Sequence, residues 1–252
     1  MPGTSNGWAD RKRMSGQKIL TARLRQSLPL SDGTRHLEFE VEETDRFEFI
    51  AGQFVSMKAE RDGREITRAY SIVSAPRQDN TFDVCLNRVQ FGFFSNYLCD
   101  MEHGMRVKFH GPHGYFVPRQ PIRDSIFVGT GTGVAPLRSM LLWLYEDPSR
   151  NQGHDFWLVF GTRWRPELYY HEEFLRLEQE HSNFHYLPTL SRENPGWTGA
   201  MGYVQEHVRR LAEGRTDMDS YICGLKDMVI ANRDLLKELG WDKKSIMFER
   251  FD

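Results

Sequence analysis

The chain has 252 residues, 39% of them hydrophobic and 13% aromatic, and a formal net charge of -2 at pH 7. That length holds one large domain or two ordinary ones of roughly 100–150 residues each, and two is the better fit. A near-neutral balance gives no sign of a nucleic-acid partner, no apolar run is long enough for membrane insertion, and three scattered cysteines (Cys85, Cys99, Cys223) spell neither a disulfide framework nor a metal centre.

Residues 1–16 are small, polar and unpatterned, and read as a flexible arm. Arg11-Lys12-Arg13 near the start is unlike a secretory leader, so a cytoplasmic protein is expected. From residue 17 the texture is one of short strands: Lys18 to Leu24, Thr34 to Val41, Gln53 to Ala59, Glu65 to Val73, Thr81 to Val89 and Arg106 to Gly111. Turns rich in Gly, Asp and Pro separate them, which predicts an antiparallel β-barrel over residues 17–120. Within it Arg68-Ala69-Tyr70-Ser71 lies in a strand, with Arg68 and Tyr70 on one face and Ser71 on the other. An exposed cross-strand pair would explain the first two as well. Gly92-Phe93-Phe94-Ser95 opens a helix whose first turn could accept an anion or be a plain cap.

After Pro118 and Pro121 strands alternate with helices. Ser125 to Val128, Asp155 to Gly161, Asn183 to Pro188 and Asp219 to Cys223 read as strands, the last of them closing the sheet. Pro136 to Tyr145, Glu167 to Glu180, Gly202 to Ala212 and Met228 to Leu239 read as helices. This alternation predicts an α/β doubly wound parallel sheet over residues 121–252. Between the first strand and helix stands Gly129-Thr-Gly131-Thr132-Gly133-Val134-Ala-Pro136. Glycines allow close backbone approach, and the following helix start attracts phosphate, so a dinucleotide pyrophosphate is the natural ligand. A tight turn without a ligand is the plainer alternative, since the spacing is neither G-x-G-x-x-G nor that of a P-loop. His110-x-x-His113 and His181-x-x-x-His185 have ligand-like spacings but no partner motif, and read as ordinary. Glu172-Glu173 reads as a solvated face.

Taken in order, Arg68-Ala-Tyr70-Ser71, Gly92-x-x-Ser95, Gly111-Pro112-x-Gly114, Gly129-Thr-Gly-Thr-Gly133-x-Ala-Pro136, Ser191-Arg192-Glu193, Cys223-Gly224 and Glu249-x-Phe251 resemble the ferredoxin–NADP(+) reductase family. The resemblance runs from about Lys18 to the end. It implies FAD in the barrel: Arg68 on the pyrophosphate, Tyr70 stacked on the isoalloxazine, Ser71 near its N5, and Ala69 between them. Cys85, Leu86, Asn87 and Arg88 would add backbone contacts, Gly92, Phe93, Phe94 and Ser95 the second phosphate contact, and Phe251 a lid on the ring. It implies NADP(H) at Gly131, Thr132, Gly133, Val134 and Pro136, with Thr132 near the nicotinamide and so also beside the flavin. Ser191, Arg192 and Arg163 would meet the 2′-phosphate, Tyr203 the adenine, and Cys223 and Gly224 the nicotinamide. Ser71, Cys223 and Glu249 would be the catalytic group, Glu249 hydrogen-bonded to both others. The implied activity is hydride exchange between NADPH and FAD, with single electrons passed to a separate ferredoxin or flavodoxin, toward which Arg61, Arg64, Arg11 and Lys12 offer charge. Trp197-x-Gly199-x-x-Gly202-Tyr203 also resembles NADH-dependent oxygenase reductases, which remain the alternative, beside a flavin- or nucleotide-binding protein without turnover.

Overall fold

The computed structural model describes residues 18–192 and 194–251; the expected arm at 1–16, with Arg11 and Lys12, and Glu193 lie outside the described residues. The first half forms a six-stranded antiparallel sheet: β1 (Leu20–Ser31), β2 (Thr34–Val41), β3 (Phe54–Arg61), β4 (Arg64–Ser71), β5 (Thr81–Asn87) and β6 (Arg106–His113), in the order β4-β3-β6-β1-β2-β5. An Ile72–Val84 bridge and a bond from Val73 N–H to the Asp83 carbonyl join its two edges, so the sheet closes on itself. Alternation drives this. Leu37, Phe39 and Val41 of β2 point inward and are fully buried beside Val55, Met57, Phe82 and Phe109. The helix α1 (Phe93–Cys99) sets Phe94 and Leu98 into the same core.

β1 runs seven residues past the predicted end at Leu24. Its polar continuation still pairs with β2, through register shifts at Leu24/Gln26 and Pro29/Ser31 that absorb the irregular pattern.

The second half is a six-stranded parallel sheet of β7 (Ser125–Thr130), β8 (Phe156–Thr162), β9 (Phe184–Leu190), β10 (Ala200–Met201), β11 (Asp219–Leu225) and β12 (Ile246–Phe251), ordered β10-β9-β8-β7-β11-β12. Its central strands β7, β8 and β11 are buried on both faces. Phe127 and Phe160 pack under α2 (Val134–Glu146) and α3 (His171–Glu180), whereas Ile126, Val128 and Ile222 pack under α4 (Val204–Ala212) and α5 (Lys226–Glu238). β11 is therefore not the last strand, as the sequence suggested. The C-terminal segment adds β12 parallel to it, with Cys223 opposite Glu249 and Leu225 opposite Phe251. α3 also starts at His171 rather than Glu167, because Tyr170 at φ 61 breaks the helical path.

The two sheets meet through specific polar contacts. Arg138 of α2 donates to the Val73 carbonyl (2.9 Å) and pairs with Glu173 (2.8 Å), and the Ser139 hydroxyl donates to the Ser74 carbonyl (2.6 Å). Tyr170 reaches His36 Nδ1 at 3.0 Å, and Tyr169 reaches the Thr34 hydroxyl at 2.8 Å. These residues dock the two halves, and Ser71, Gly133, Cys223 and Glu249 come together at the junction between them.

Candidate active site between the two sheets

Ser71 ends β4 and is buried; its hydroxyl donates to Glu249 Oε1 at 3.3 Å. Glu249 comes from β12, next to β11, so Cys223 is its direct ladder partner. Ser71, Cys223 and Glu249 are thus brought together from three strands. The expected hydrogen bond between Cys223 and Glu249 is not formed among the described residues; charge links the two instead. Burial first, and then the nearby Glu249 carboxylate, push the Cys223 thiol well above its usual range. Burial likewise raises the Glu249 carboxyl, with the Ser71 hydrogen bond acting in the opposite sense. The group therefore favours protons over charge.

The glycine turn packs directly on this cluster. A Cβ on Gly133 would overlap the Cys223 carbonyl, and one on Gly224, at φ 139, would overlap the Thr130 hydroxyl. Neither position admits a side chain. Gly131 differs, since at φ 54 its missing Cβ would point into open space. Thr132 beside it is half-buried, and Val134 and Pro136 are buried in the first turn of α2. Pro136 is the third helical residue, where a missing N–H leaves no bond unmade.

The remaining nucleotide-side residues stand at the C-terminal ends of neighbouring parallel strands. Arg163 follows β8, Ser191 and Arg192 follow β9, and Tyr203 follows β10 as the N-cap of α4, 64% exposed. Both arginines are exposed, and no described carboxylate forms an ion pair with either. Ser191 is anchored by its N–H and hydroxyl to the Thr162 carbonyl (2.9 and 3.3 Å). Gln205 Oε1, two residues past Tyr203, is buried and has no hydrogen-bond partner among the described residues.

On the barrel side Arg68 and Ala69 are exposed, and among the described residues the Arg68 guanidinium donates only to the Thr67 carbonyl (2.8 Å). Tyr70 is half-buried against Phe94, with ring centroids 6.0 Å apart, and burial raises its phenol pKa. The stretch from Cys85 to Arg88 is more committed than the sequence suggested. Cys85 is buried between the sheets with Val73 and Ala135, and burial pushes its thiol up to about 12. Leu86 is in the barrel core, and Asn87 Oδ1 accepts from Thr34 (2.6 Å). The Arg88 N–H donates to the Gly33 carbonyl, and its guanidinium holds Asp100 (2.5 Å) and Asn96 (2.8 Å). Gly92 N–H donates to the Val89 carbonyl, and the Ser95 hydroxyl accepts from Val89 N–H at 3.0 Å. Phe93 stacks on Tyr97. Phe251 is half-buried beside the apolar cluster containing Cys223.

Sequence reasoning missed Thr130, whose hydroxyl accepts from Leu225 N–H (3.4 Å), and Arg138 with Tyr170, which align the two halves. Thr130 could have been found from its place between two glycines, and Arg138 stands in the same resembling segment, two residues past Pro136; nothing local in the sequence marks Tyr170.

Comparison with known proteins bears on the family and the fold. The model of the oxidoreductase FAD-binding domain family matches residues 21–117, and that of the oxidoreductase NAD-binding domain family matches residues 127–234. The chain is 40% identical to ferredoxin–NADP reductase B of Sorangium cellulosum over 240 residues, which is 92% of this chain and 97% of that protein. It is 31% identical to the phenol 2-monooxygenase reductase component of a Pseudomonas species over 81% of this chain, though it spans only 58% of that protein's length. Among solved structures, a ferredoxin NADP+ reductase from Neisseria gonorrhoeae superposes with a TM-score of 0.80 at 24% identity, covering 92% of this chain and 98% of the other. The chain belongs to the ferredoxin–NADP(+) reductase family, flavin-dependent electron-transfer oxidoreductases with one FAD-binding and one nicotinamide-nucleotide-binding half.

Proposed function

We propose that this protein is a ferredoxin– or flavodoxin–NADP(+) reductase, in which FAD lies against Arg68 to Ser71 and NADP(H) against the Gly131–Gly133 turn. The observation that carries this reading is the Ser71–Glu249–Cys223 group at the crevice between the two halves. The residues present fit both nucleotides. Arg68 offers an exposed guanidinium, without an ion-pair partner among the described residues, for phosphate oxygens. Gly131 leaves open space before a 13-residue helix whose N-terminus favours an anion. Exposed Arg163 and Arg192 supply cations where a ribose diol would want a carboxylate, which favours a 2′-phosphate and hence NADPH over NADH. Tyr203, 64% exposed, offers a ring face on which an adenine can stack.

FAD, when bound, supplies hydride exchange with the nicotinamide and electron release one at a time. The protein's part is positioning. Tyr70 offers a ring face for stacking, and Phe251 closes the crevice from the β12 side. Ser71 holds its hydroxyl proton toward Glu249 Oε1, and Glu249, raised by burial, can hold a proton there in turn. Cys223 stays a neutral thiol and adds bulk without charge. Gly133 and Gly224 keep turn and strand close enough to exclude water.

The oxygenase-reductase reading is supported by relatives such as the phenol 2-monooxygenase reductase component, of which this chain spans little more than half. The full-length match to a ferredoxin–NADP reductase outweighs it. Steady-state dye reduction with both nucleotides tests the choice: a much lower KM for NADPH supports the proposal, and equal or better use of NADH overturns it.

A further inference from the structure

The end of β6 carries a feature outside that site. His110 and His113 are three residues apart, a spacing that on a regular strand puts side chains on opposite faces. Here Phe54 and Ser56 of β3, two residues apart, pair with His113 and His110, so β6 carries an extra residue at Gly111-Pro112. The bulge turns both imidazoles to one face. His110 Nδ1 lies 2.6 Å from His113 Nε2, and among the described residues neither ring has another hydrogen-bond partner. Two imidazole nitrogens this close share one proton, donated by one ring and accepted by the other. Around them stand Phe54, its ring centroid 5.6 Å from that of His113, and the Lys58–Glu65 ion pair (2.7 Å). Burial, then the charges of His113 and Lys58, hold His110 below its ordinary pKa, while Glu65 acts the other way.

We propose that His110 Nδ1 and His113 Nε2 form a two-ligand site for a borderline divalent transition metal such as Zn2+ or Ni2+, with water completing the coordination shell. The metal would take the place of the shared proton. Zinc–nitrogen bonds of about 2.0–2.1 Å in a tetrahedral shell put two ligating nitrogens roughly 3.3 Å apart, so the rings need part by about 0.7 Å from their 2.6 Å separation. Imidazole suits these ions, and the free-base form is the one that ligates. Among the described residues no group of three or more His, Cys, Asp or Glu side chains assembles around a common point. The site is accordingly open and exchangeable rather than a closed structural centre. It is also near the crevice, because Phe54 pairs with Ser71 on its other side.

The test is calorimetric titration of ZnCl2 into the purified, flavin-loaded protein, with any affinity tag removed, at about pH 7.5. One site is expected. Its affinity should fall at least about tenfold in His110→Ala and in His113→Ala, since losing a ligand weakens binding no less than losing an outer-sphere partner does. It should also fall near pH 5.5, where protons compete for the imidazoles. An unchanged flavin spectrum shows that each variant is folded, and His113→Gln replaces any that is not. The proposal is overturned if the wild type takes up no zinc, if the His110 and His113 variants bind it as tightly as the wild type, or if the loss is carried instead by His154→Ala, a histidine that faces the Asp124 carboxylate at 3.4 Å in the other half.

Discussion

Ser71 and Glu249 are 178 positions apart in the chain, yet the serine hydroxyl lies 3.3 Å from the glutamate carboxylate. One ends the barrel's edge strand and the other sits on the sheet's edge strand, so this contact exists only when both halves are correctly docked.

Glu249 should weigh on stability and activity in opposite directions. Its folded pKa is raised above the unfolded value near 4.5, so its contribution to stability is fully present below that value and is lost as pH rises through the folded pKa. Glu249→Gln should therefore melt higher than the wild type at pH 7–8, with the gap closing at about pH 4. The same variant should reduce its flavin more slowly, by up to the roughly 100-fold at the low end of proton-handling contributions. Thermal melts across pH and anaerobic stopped-flow reduction check the two halves of this expectation.

The three glycines of the crevice should separate by mechanism. Gly133→Ala and Gly224→Ala force overlap with backbone or with Thr130, and should destabilise by about 1–3 kcal/mol or more while raising the KM for nucleotide. Gly131→Ala meets no neighbour and bears only the positive-φ penalty, about 1–2 kcal/mol. Paired melting and KM measurements distinguish the two patterns.

Arg192→Ala and Arg163→Ala should raise the KM for NADPH about tenfold or more each, in line with roughly 1.5–3 kcal/mol for a hydrogen bond to a charged group. The KM for NADH should stay unchanged. Equal effects on both nucleotides would remove the 2′-phosphate assignment.

Asp83 anchors the barrel wall. Burial raises its carboxyl, but hydrogen bonds from His36 and Arg77 and the guanidinium charge outweigh it and hold the pKa below the usual value. Arg77→Ala leaves that carboxylate buried, with His36 as its remaining partner. It should lose about 3 kcal/mol at pH 7, the low end of the range because Arg77 is itself 37% exposed. Asp83 stabilises above its unfolded pKa, so the loss should shrink as pH falls toward the carboxylate range. Denaturant melts at two pH values test this.

The legible parts of the molecule were those with local causes. Short runs set between Gly-, Asp- and Pro-rich turns marked the barrel strands, and the alternation of strands and helices marked the parallel sheet. The glycines of 129–133 marked the turn that abuts Cys223. Contacts closed by distant pairing were not legible. β12 reads locally as an irregular tail, and becomes a strand only because the exposed edge of β11 receives it. The extension of β1 depends on register shifts that its polar sequence conceals. Arg138 and Tyr170, which hold the halves together, look like ordinary helix and loop residues until the other half is present. Glu249 could be placed beside Ser71 only through resemblance to a family. The same limit made His110 and His113 look ordinary, because a bulge, not the spacing, brings them together.

The most direct measurement is anaerobic mixing of the purified protein with NADPH or NADH while flavin absorbance is followed. The account predicts a yellow protein that NADPH bleaches rapidly and NADH much more slowly, with both rates falling in Glu249→Gln. A protein that carries no flavin, or whose flavin neither nucleotide reduces, would contradict it.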